Sequence, residues 1–297
     1  MNTSVCIKLT DSEFNPEVIM KSGQIFRMYK KSDGLYHVYS RDNAIVFKYD
    51  QANKFWRFYV NQWDWQNFWV NFFDLETDYS VVNKKIMKSK DDFLKKSLEW
   101  GKGMRILHQD LWETLISFII SQQNSIPKIQ KTIEILCKNW GSKQSYVTPN
   151  GIQYFYSFPT PERIANLSLE TLRDGTMLGY RAKYILNLSK DVKSNKFRLD
   201  KLLNKDYEET MKMLQSINGV GPKISNCVGL YGLHLMESYP IDVWMSKVIT
   251  EDYPQFDTTK QYLQYINTDY KGFQGYILLL QKKFVKIYEK DFTFLPK

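Results

Sequence analysis

Cysteine is scarce in this sequence of 297 residues. Its three cysteines, Cys6, Cys137 and Cys227, lie far apart and form no Cys-x-x-Cys pair. Three cysteines are too few for an iron–sulfur cluster held by four cysteines of this chain, and their wide spacing fits a protein from a reducing compartment.

Histidine, long apolar runs and targeting signals are scarce or missing as well. The three histidines, His37, His108 and His234, are too scattered along the sequence to indicate a zinc site. The N-terminal stretch Met-Asn-Thr-Ser-Val-Cys-Ile-Lys has no apolar signal core, and no segment approaches the length of a membrane span. We therefore expect an intracellular protein that is not secreted and has no membrane partner.

The chain is rich in positive charge and in aromatic side chains. Lysine and arginine number 41 against 32 acidic residues, which gives a net charge of +9 and a pI of about 9.1. That balance favours a polyanionic partner, although many basic proteins never bind nucleic acid. With 43% hydrophobic and 15% aromatic residues, the chain can bury one large core or two moderate ones.

The sequence pattern changes from strand-like to helical near Gln62. Before it lie four short alternating runs that are separated by turn residues, at 25–29, 35–39, 44–49 and 55–60. After about Asp74 the pattern is helical almost to the end, and three helix starts carry N-cap residues, at Asp110, Thr160 and Ser168. The sequence therefore predicts an α+β protein, with a small antiparallel sheet in a β-rich N-terminal domain (1–100) and a helical domain (101–297).

A glycine-rich turn joins two of the predicted helices, residues 207–217 and 223–233. Gly219 and Gly221 supply backbone angles that a side chain would forbid, and Pro222 suits the first turn of the second helix. Free N–H groups at such a helix start favour an anion, so a phosphodiester fits there. An ordinary helical hairpin with a glycine C-cap is the alternative interpretation.

A lysine and an aspartate near this turn indicate covalent chemistry. Lys223 lies in the first turn of a helix, where the dipole and partial burial would favour the neutral amine that a nucleophile needs. Asp242 follows nineteen residues later between Pro-Ile and Val-Trp-Met, an apolar frame that predicts a partly buried carboxylate. It could accept a proton, stabilise a cationic sugar or cap the helix that begins near Val243. The alternative for Lys223 is a solvated or phosphate-binding side chain.

Four blocks of the sequence resemble one protein family in the same order. Gly-Val-Gly-Pro-Lys (219–223), followed by Pro-Ile-Asp-Val (240–243), is similar to the helix-hairpin-helix DNA glycosylase superfamily, specifically its lysine-bearing 8-oxoguanine DNA glycosylases. The other blocks are Ser-Gly-Gln-Ile-Phe-Arg (22–27), Ile-Ser-Gln-Gln-Asn-Ser-Ile (120–126) and Leu-Gly-Tyr-Arg-Ala-Lys-Tyr (178–184). The resemblance implies a β-rich domain against a helical domain, with the active site in the cleft between them. It also implies excision of 8-oxoguanine from duplex DNA and strand cleavage by β-elimination through a lysine Schiff base.

The resemblance assigns residues to a pocket for the damaged base. In the family a glycine carbonyl tests N7, which carries a hydrogen only in the oxidised base, and Gly23 matches that glycine. Cys227 matches a cysteine that packs on one face of the extruded base. The opposite wall of the family has glutamine and phenylalanine, where ungapped alignment places Gly275 and Leu279; Gln274, one residue out of register, is a candidate for the Watson–Crick edge. Without the resemblance, Gly23 is a turn residue and Cys227 a small buried hydrophobe.

The resemblance also assigns residues to the gap that an extruded base leaves. Gln123 aligns with an asparagine that enters this gap, and its amide can replace lost base-pair hydrogen bonds. Tyr180 and Arg181 resemble a wedge pair that unstacks a base step and binds the orphaned base; by themselves they would be a solvated helix surface. Lys128 stands where animal members carry a cytosine-reading arginine, and Trp244 stands where they carry a histidine. Because lysine has no planar fork, Lys128 predicts a weaker preference for cytosine than in animal enzymes, whereas Trp244 predicts a lost or rearranged phosphate contact.

The remaining expectations concern partners, cofactors and rival functions. The resemblance implies a monomer that binds damaged double-stranded DNA, with phosphate contacts from Gly219 and Gly221, in the cytoplasm and at the bacterial nucleoid. The chemistry requires no metal or redox cofactor, and a monovalent cation could bind the carbonyls of the hairpin. Two alternatives stay open: a monofunctional alkylpurine glycosylase, against which Lys223 counts, and a non-catalytic helix-hairpin-helix DNA-binding protein, against which Lys223 and Asp242 together count.

Overall fold

The N-terminal part of the chain forms one antiparallel sheet. A computed structural model describes residues 4–203 and 205–292, and within the last helix it leaves out the side chains of 283 and 285–292. The strands lie in the order β1-β5-β4-β3-β2, with the bounds β1 Val5–Ile7, β2 Met28–Lys30, β3 Tyr36–Ser40, β4 Asn43–Asp50 and β5 Phe55–Tyr59. The small antiparallel sheet predicted from the sequence is confirmed, and its four runs are β2 to β5. The three-residue β1 is too short to show a pattern.

Aromatic side chains fill the core behind this sheet. Phe47 of β4 and Phe58 of β5 are cross-strand partners, and their rings stack with centroids 4.9 Å apart. Phe14, just before the first helix α1 (Pro16–Lys21), packs edge-on against Trp56 at 5.5 Å. Such rings bury large apolar areas, so a sheet of short strands can still close a core.

Most of the described chain after the sheet is helical, as predicted. Short turns at α2 (Gln62–Asp64), a π-helical turn (Trp65–Trp69) and α3 (Val70–Phe72) lead into it. The longer helices are α4 Ser80–Lys88, α5 Asp92–Trp100, α6 Leu111–Ile120, α7 Ile126–Trp140, α8 Pro161–Ala165, α9 Leu169–Asp174, α10 Arg181–Lys193, α11 Tyr207–Gln215, α12 Pro222–Gly232, α13 Val243–Asp252, α14 Thr259–Asp269 and α15 Gln274–Phe292, with a 3-10 turn at Leu199–Leu202. The N-caps predicted at Asp110, Thr160 and Ser168 are present. Within the described ranges, no helix is long and apolar enough to cross a membrane.

The helical prediction is wrong over residues 143–156, which form a second β-hairpin. Its strands, β6 (Lys143–Thr148) and β7 (Gly151–Tyr156), pair antiparallel. Phe155 stacks on Tyr39 of β3 at 4.9 Å, and the Tyr146 hydroxyl lies 2.9 Å from that of Tyr39. The hairpin is stable because it docks on the first sheet, a long-range contact that its local pattern does not reveal.

A buried glutamine joins the sheet region to the helical region. The Gln24 amide nitrogen donates to the Arg105 carbonyl at 2.9 Å, and its amide oxygen accepts from the Leu107 N–H at 2.8 Å. The Gln24 carbonyl accepts from the Gln109 side chain at 2.7 Å. These bonds hold residues 22–24 against the segment that leads into α6.

A buried arginine makes the second connection between the two regions. Arg27 pairs with Glu134 of α7 at 2.9 Å and donates to the Tyr156 carbonyl at 2.7 Å. Glu113 of α6 lies 3.7 Å from the Arg27 guanidinium and accepts from the Arg41 N–H at 2.8 Å. Burial raises the pKa of Glu113 to about 7, because it outweighs the opposing effects of Arg27 and Arg41.

The Glu113 carboxyl should make the stability of the fold depend on pH. Because the pKa of Glu113 is raised from 4.5 to about 7, its contribution to the free energy of unfolding is fully present below pH 4.5 and is lost as pH rises through 7. We expect the free energy of unfolding of Glu113→Gln to rise by on the order of 3 kcal/mol relative to the wild type as pH increases across that range. Urea unfolding at several pH values measures this difference. Exposed Glu162→Gln is the matched control, and a Glu113→Gln curve parallel to the wild type would contradict the assignment.

Candidate active site at the helical hairpin

The predicted helical hairpin is present as α11 and α12. Asp206 caps α11 by accepting from the Glu209 N–H at 2.8 Å, and Pro222 opens α12. Ile217 and Val220 are buried under the turn, where the Val220 N–H donates to the Ile217 carbonyl at 3.0 Å. The turn is therefore anchored from below while its outer surface stays open.

The two glycines of the turn are not equivalent. Gly219 has φ +90°, and a Cβ placed there would lie 2.6 Å from the ring of Tyr184, so a side chain is excluded by both angle and space. Gly221 has φ −96° and no atom within 4 Å of an added Cβ. The expectation that both glycines require forbidden angles is wrong for Gly221, whose missing side chain leaves the start of α12 open to an approaching group.

The start of α12 presents free donors and an exposed amine. Gly221 is the N-cap residue of α12 and has no side chain to cap the helix, and the N–H groups of Lys223 and Ile224 precede the bond that the Ser225 N–H donates to the Gly221 carbonyl. The Lys223 side chain is exposed, which corrects the expectation of partial burial: the first turn of α12 projects beyond the packed core. The described residues offer Lys223 no hydrogen-bond or ion-pair partner.

An asparagine on α12 fixes the segment that carries Asp242. The Asn226 amide oxygen accepts from the Tyr239 N–H and from the Tyr207 hydroxyl, both at 2.9 Å. One turn further along, the Gly229 carbonyl accepts from the Leu235 N–H at 2.9 Å. The segment 233–242 therefore returns alongside α12. Sequence analysis missed Asn226, although a polar amide facing a buried helix surface is a usable signal.

Asp242 is partly buried and caps α13, as predicted. Its Oδ1 accepts from the Met245 N–H at 3.1 Å, and its Oδ2 lies 2.6 Å from the Nζ of Lys282 on α15. Burial alone would raise the pKa of Asp242, but the charge and hydrogen bond of Lys282, followed by the Met245 N–H and Lys223, hold it below the ordinary value. Asp242 is therefore a carboxylate at neutral pH. Sequence analysis did not identify Lys282.

Cys227 completes the group around Asp242. It lies one turn after Lys223 and is buried. Burial raises the pKa of the Cys227 thiol to about 11 against the opposing charges of Lys282 and Lys223. The site thus combines an exposed amine, an ionised carboxylate and a protonated thiol, an arrangement that suits nucleophilic attack by the amine.

The wall formed by α15 differs from the sequence expectation. A Cβ at Gly275 would lie 2.2 Å from the Cδ1 of Leu230, so α15 and α12 are in contact where a glutamine side chain would have to begin. Gln274 is buried, and its amide nitrogen lies 3.4 Å from the Asn267 oxygen on α14. The candidate role of Gln274 in the pocket is therefore not supported, because the side chain is turned to α14. Leu279 is fully buried.

Gly23 lies at the end of α1 in a fixed turn. Its φ is +86°, a left-handed conformation that favours glycine. The Ser22 hydroxyl donates to the Ile19 carbonyl at 2.7 Å and accepts from the Gln24 N–H at 3.3 Å. With Gln24 held by the helical region, the backbone at Gly23 has little freedom.

The predicted wedge and gap-filling residues form one connected unit. Arg181 is buried and donates to the carbonyls of Gln122 and Leu178, which excludes the interpretation as a solvated surface. Its guanidinium lies 4.5 Å from the ring centroid of Tyr180, which is half exposed. Gln123 is exposed with φ +45°. Arg181 therefore supports the turn that presents Gln123.

Lys128 and Trp244, two positions at which the sequence differs from animal members of the family, lie in the exposed first turns of helices. Lys128 is exposed in the first turn of α7. Trp244 is 42% exposed in the first turn of α13, two residues after Asp242. Both side chains can therefore reach a partner molecule.

One group in the described part of the chain has ligand atoms close enough for a metal: Asp74, His108 and His234. The expectation that the histidines are scattered is wrong in space, because the rings of His108 and His234 stack 3.5 Å apart. Their Nε2 atoms face different oxygens of Asp74, at 3.3 and 3.6 Å, and parallel ring planes do not converge on one ion. Thr77 and Tyr79 also donate to this carboxylate. Burial would raise the pKa of Asp74, but His108 and His234, followed by Thr77 and Tyr79, hold it well below its usual range.

Comparison with known proteins divides the chain between two family models. Residues 6–115 match 8-oxoguanine DNA glycosylase, N-terminal domain. Residues 116–268, just over half of the chain, match the HhH-GPD superfamily base excision DNA repair protein. The two matches adjoin and together span almost all of the described structure.

Individual relatives agree with these models. The N-glycosylase/DNA lyase of Saccharomyces cerevisiae is 37% identical over 181 residues, 58% of this chain and 47% of that protein, so the chain spans about half of its length. The structure of MBOgg1 in complex with a low-affinity DNA ligand is 32% identical, with a TM-score of 0.88 over 97% of each chain. The 8-oxoguanine glycosylase/lyase of Clostridium acetobutylicum, in complex with duplex DNA containing cytosine opposite 8-oxoguanine, is 27% identical with a TM-score of 0.86, covering 98% of this chain and 97% of that chain.

The two glycines of the turn give a matched pair for a stability test. Gly219→Ala should cost roughly 1–3 kcal/mol of unfolding free energy, because φ +90° and the Tyr184 ring both oppose a side chain. Gly221→Ala should cost at most about 1 kcal/mol, the difference between glycine and alanine at an N-cap. Urea unfolding of both variants measures the two costs. Equal costs, or a larger one for Gly221→Ala, would contradict the geometry.

Proposed function

The chain belongs to the HhH-GPD superfamily of base excision DNA repair proteins, and on that premise we propose that it removes 8-oxoguanine from duplex DNA and then cleaves the strand. The observation that carries the proposal is the exposed amine of Lys223 in the first turn of α12, the helix that holds the returning segment ending at the carboxylate of Asp242. The names of the relatives support the same pairing of glycosylase and lyase activities.

The reaction begins with the neutral amine of Lys223 as nucleophile. Its Nζ attacks C1′ of the extruded nucleotide, the bond from C1′ to the base breaks, and the electron pair leaves with the base. The sugar ring then opens to a Schiff base on Lys223. Loss of a C2′ proton expels the 3′ phosphate by β-elimination and cleaves the strand. Asp242 stabilises the positive charge on the sugar and assists the proton transfers.

Selection of the oxidised base depends on its N7 hydrogen. A carbonyl directed at N7 attracts the N–H of 8-oxoguanine and repels the lone pair of guanine. In our proposal Gly23 supplies this carbonyl, and the fixed turn at Gly23 holds the carbonyl oxygen in one position relative to N7. Cys227 and Leu279 enclose the two faces of the base. The helix contact at Gly275 leaves no room for a glutamine at the Watson–Crick edge, so this edge has to be read by other groups.

The same proposal assigns the contacts with DNA. The backbone N–H groups around Gly219 and Gly221 bind the phosphodiester, with room for a monovalent cation on the carbonyls of the turn. Gln123 enters the gap in the duplex, and Tyr180 acts as the wedge, supported by Arg181. The protein acts as a monomer, and this chemistry requires no metal or redox cofactor.

Two rival functions differ from the proposal in what they require of Lys223. A monofunctional alkylpurine glycosylase uses water as nucleophile and needs only the carboxylate. A helix-hairpin-helix DNA-binding protein needs only the turn. Neither function gives a reason for an exposed amine in the first turn of α12, close enough to Asp242 for its charged form to help lower the pKa of that carboxyl.

Trapping with borohydride tests the proposal directly. A duplex with one 8-oxoguanine opposite cytosine should form a covalent adduct with the wild type, because borohydride reduces a Schiff base to a stable amine. We expect Lys223→Gln to form no adduct while it still binds the duplex. Lys212→Gln, an exposed lysine of α11, is the matched control and should form the adduct normally. No adduct with the wild type, despite DNA binding, would reject the bifunctional function for this lesion.

The exposed Lys128 allows a test of opposite-base selectivity. Lysine donates as a point charge, whereas the planar fork of arginine donates two parallel bonds to the acceptors of an orphaned cytosine. We expect Lys128→Arg to raise the ratio of single-turnover excision rates opposite cytosine and adenine by roughly tenfold. Lys131→Arg, also exposed on α7, serves as the control. An unchanged ratio for Lys128→Arg would remove this residue from the base contacts.

A further inference from the structure

A second lysine, rather than Lys223, neutralises the carboxylate of the site. The Nζ of Lys282 lies 2.6 Å from the Oδ2 of Asp242, and the two side chains are only 16% and 12% exposed. The other oxygen of Asp242 accepts from the Met245 N–H. Both oxygens of Asp242 are therefore occupied, while the amine of Lys223 is exposed and has no partner among the described residues.

The position of Lys282 on α15 explains how it reaches the site. Gly275, Leu279 and Lys282 follow a spacing of four and three residues, so they lie on one face of the helix. Contact between Gly275 and Leu230 brings this face of α15 against α12. Lys282 is thereby placed two turns along the surface that the sequence assigns to the wall of the base pocket.

The charged and titratable groups around Asp242 come from two helices. Lys282 belongs to α15, and Lys223, Cys227 and Tyr231 belong to α12. Burial opposes ionisation of Asp242, and among the two amines Lys282 opposes this effect more strongly than Lys223. An ion pair between largely buried groups is also weakly screened by salt. The ionised state of Asp242 therefore depends mainly on Lys282.

We propose that Lys282 is a positioning residue that serves as the counter-ion of Asp242 in place of Lys223. This inference rests on the proposed glycosylase function and adds a division of labour between two amines. An amine paired with a carboxylate is held as ammonium, which cannot attack a sugar. Because Lys282 holds the carboxylate of Asp242, the exposed amine of Lys223 has no such partner among the described residues and stays available to attack the sugar.

The test compares Lys282→Met with Lys282→Arg, which keeps the charge, and with Lys260→Met, which removes an exposed charge from α14. Single-turnover excision of 8-oxoguanine is measured from pH 5 to 9, together with DNA affinity and borohydride trapping. We expect Lys282→Met to slow excision roughly tenfold or more at neutral pH, with DNA affinity changed less than about threefold. The Arg variant should recover most of the rate, and Lys260→Met should behave as the wild type.

The pH profile separates this role from a general structural one. Lys282 lowers the pKa of Asp242, so removing it raises that pKa and protonates the carboxylate at higher pH. The acidic limb of the rate profile should therefore move to higher pH in Lys282→Met and stay in place in Lys282→Arg. If Lys282→Met does not fold, as judged by circular dichroism, Lys282→Gln provides the same comparison with a polar side chain.

Two results would overturn the inference while leaving the proposed function intact: an unchanged rate in Lys282→Met, or a lower rate with an unmoved acidic limb. A residual adduct in Lys223→Gln that disappears when Lys282 is also replaced would overturn the inference too, and it would move the nucleophile of the proposed function from Lys223 to Lys282. Failure of the proposed function is distinguishable, because the wild type itself would then form no adduct.

Discussion

The structure of the site depends on close contact between α12 and the elements around it. A Cβ added at Gly229 of α12 would lie 2.5 Å from the Ser238 hydroxyl oxygen, and a Cβ added at Gly275 of α15 would lie 2.2 Å from the Leu230 side chain, so neither position has room for one. The aromatic face of α12 packs on α6, where Phe118 stacks on Tyr231 at 5.5 Å. Because its middle is enclosed, α12 can leave its first turn open to solvent without losing its position. The amine of Lys223 is therefore exposed on a helix whose middle is closely packed.

The features that the sequence predicted depend on residues that are neighbours along the chain. An N-cap such as Asp242 acts three residues away, and the turn at Gly219 is set by its own backbone angle. These local rules are independent of the rest of the fold, so they could be applied to the sequence alone. The order of the four family blocks then extended the prediction from the turn to the whole architecture.

The features that the sequence missed depend on contacts between distant segments. Lys282 pairs with a carboxylate forty residues earlier, and the hairpin of β6 and β7 is stabilised by docking on β3. His108 and His234 are 126 positions apart but stack on each other. Arg181 looked like a surface residue because its pattern is polar, although its guanidinium binds carbonyls inside the protein. Packing between segments that are distant in the sequence decides each of these pairings, and no local pattern encodes it.

Packed rings also connect the hairpin turn to Tyr180, the residue that we propose as the wedge. Tyr184 lies against Gly219, its ring meets that of Tyr180 edge-on at 6.0 Å, and Arg181 links Tyr180 to the Gln122 carbonyl. The distance between the hairpin turn and Tyr180 is therefore set by close-packed groups. If a duplex binds at both places, as we propose, this packing resists deformation of the protein, so that the work of bending is done on the DNA. Base steps that are already weakly stacked would bend at the lowest cost.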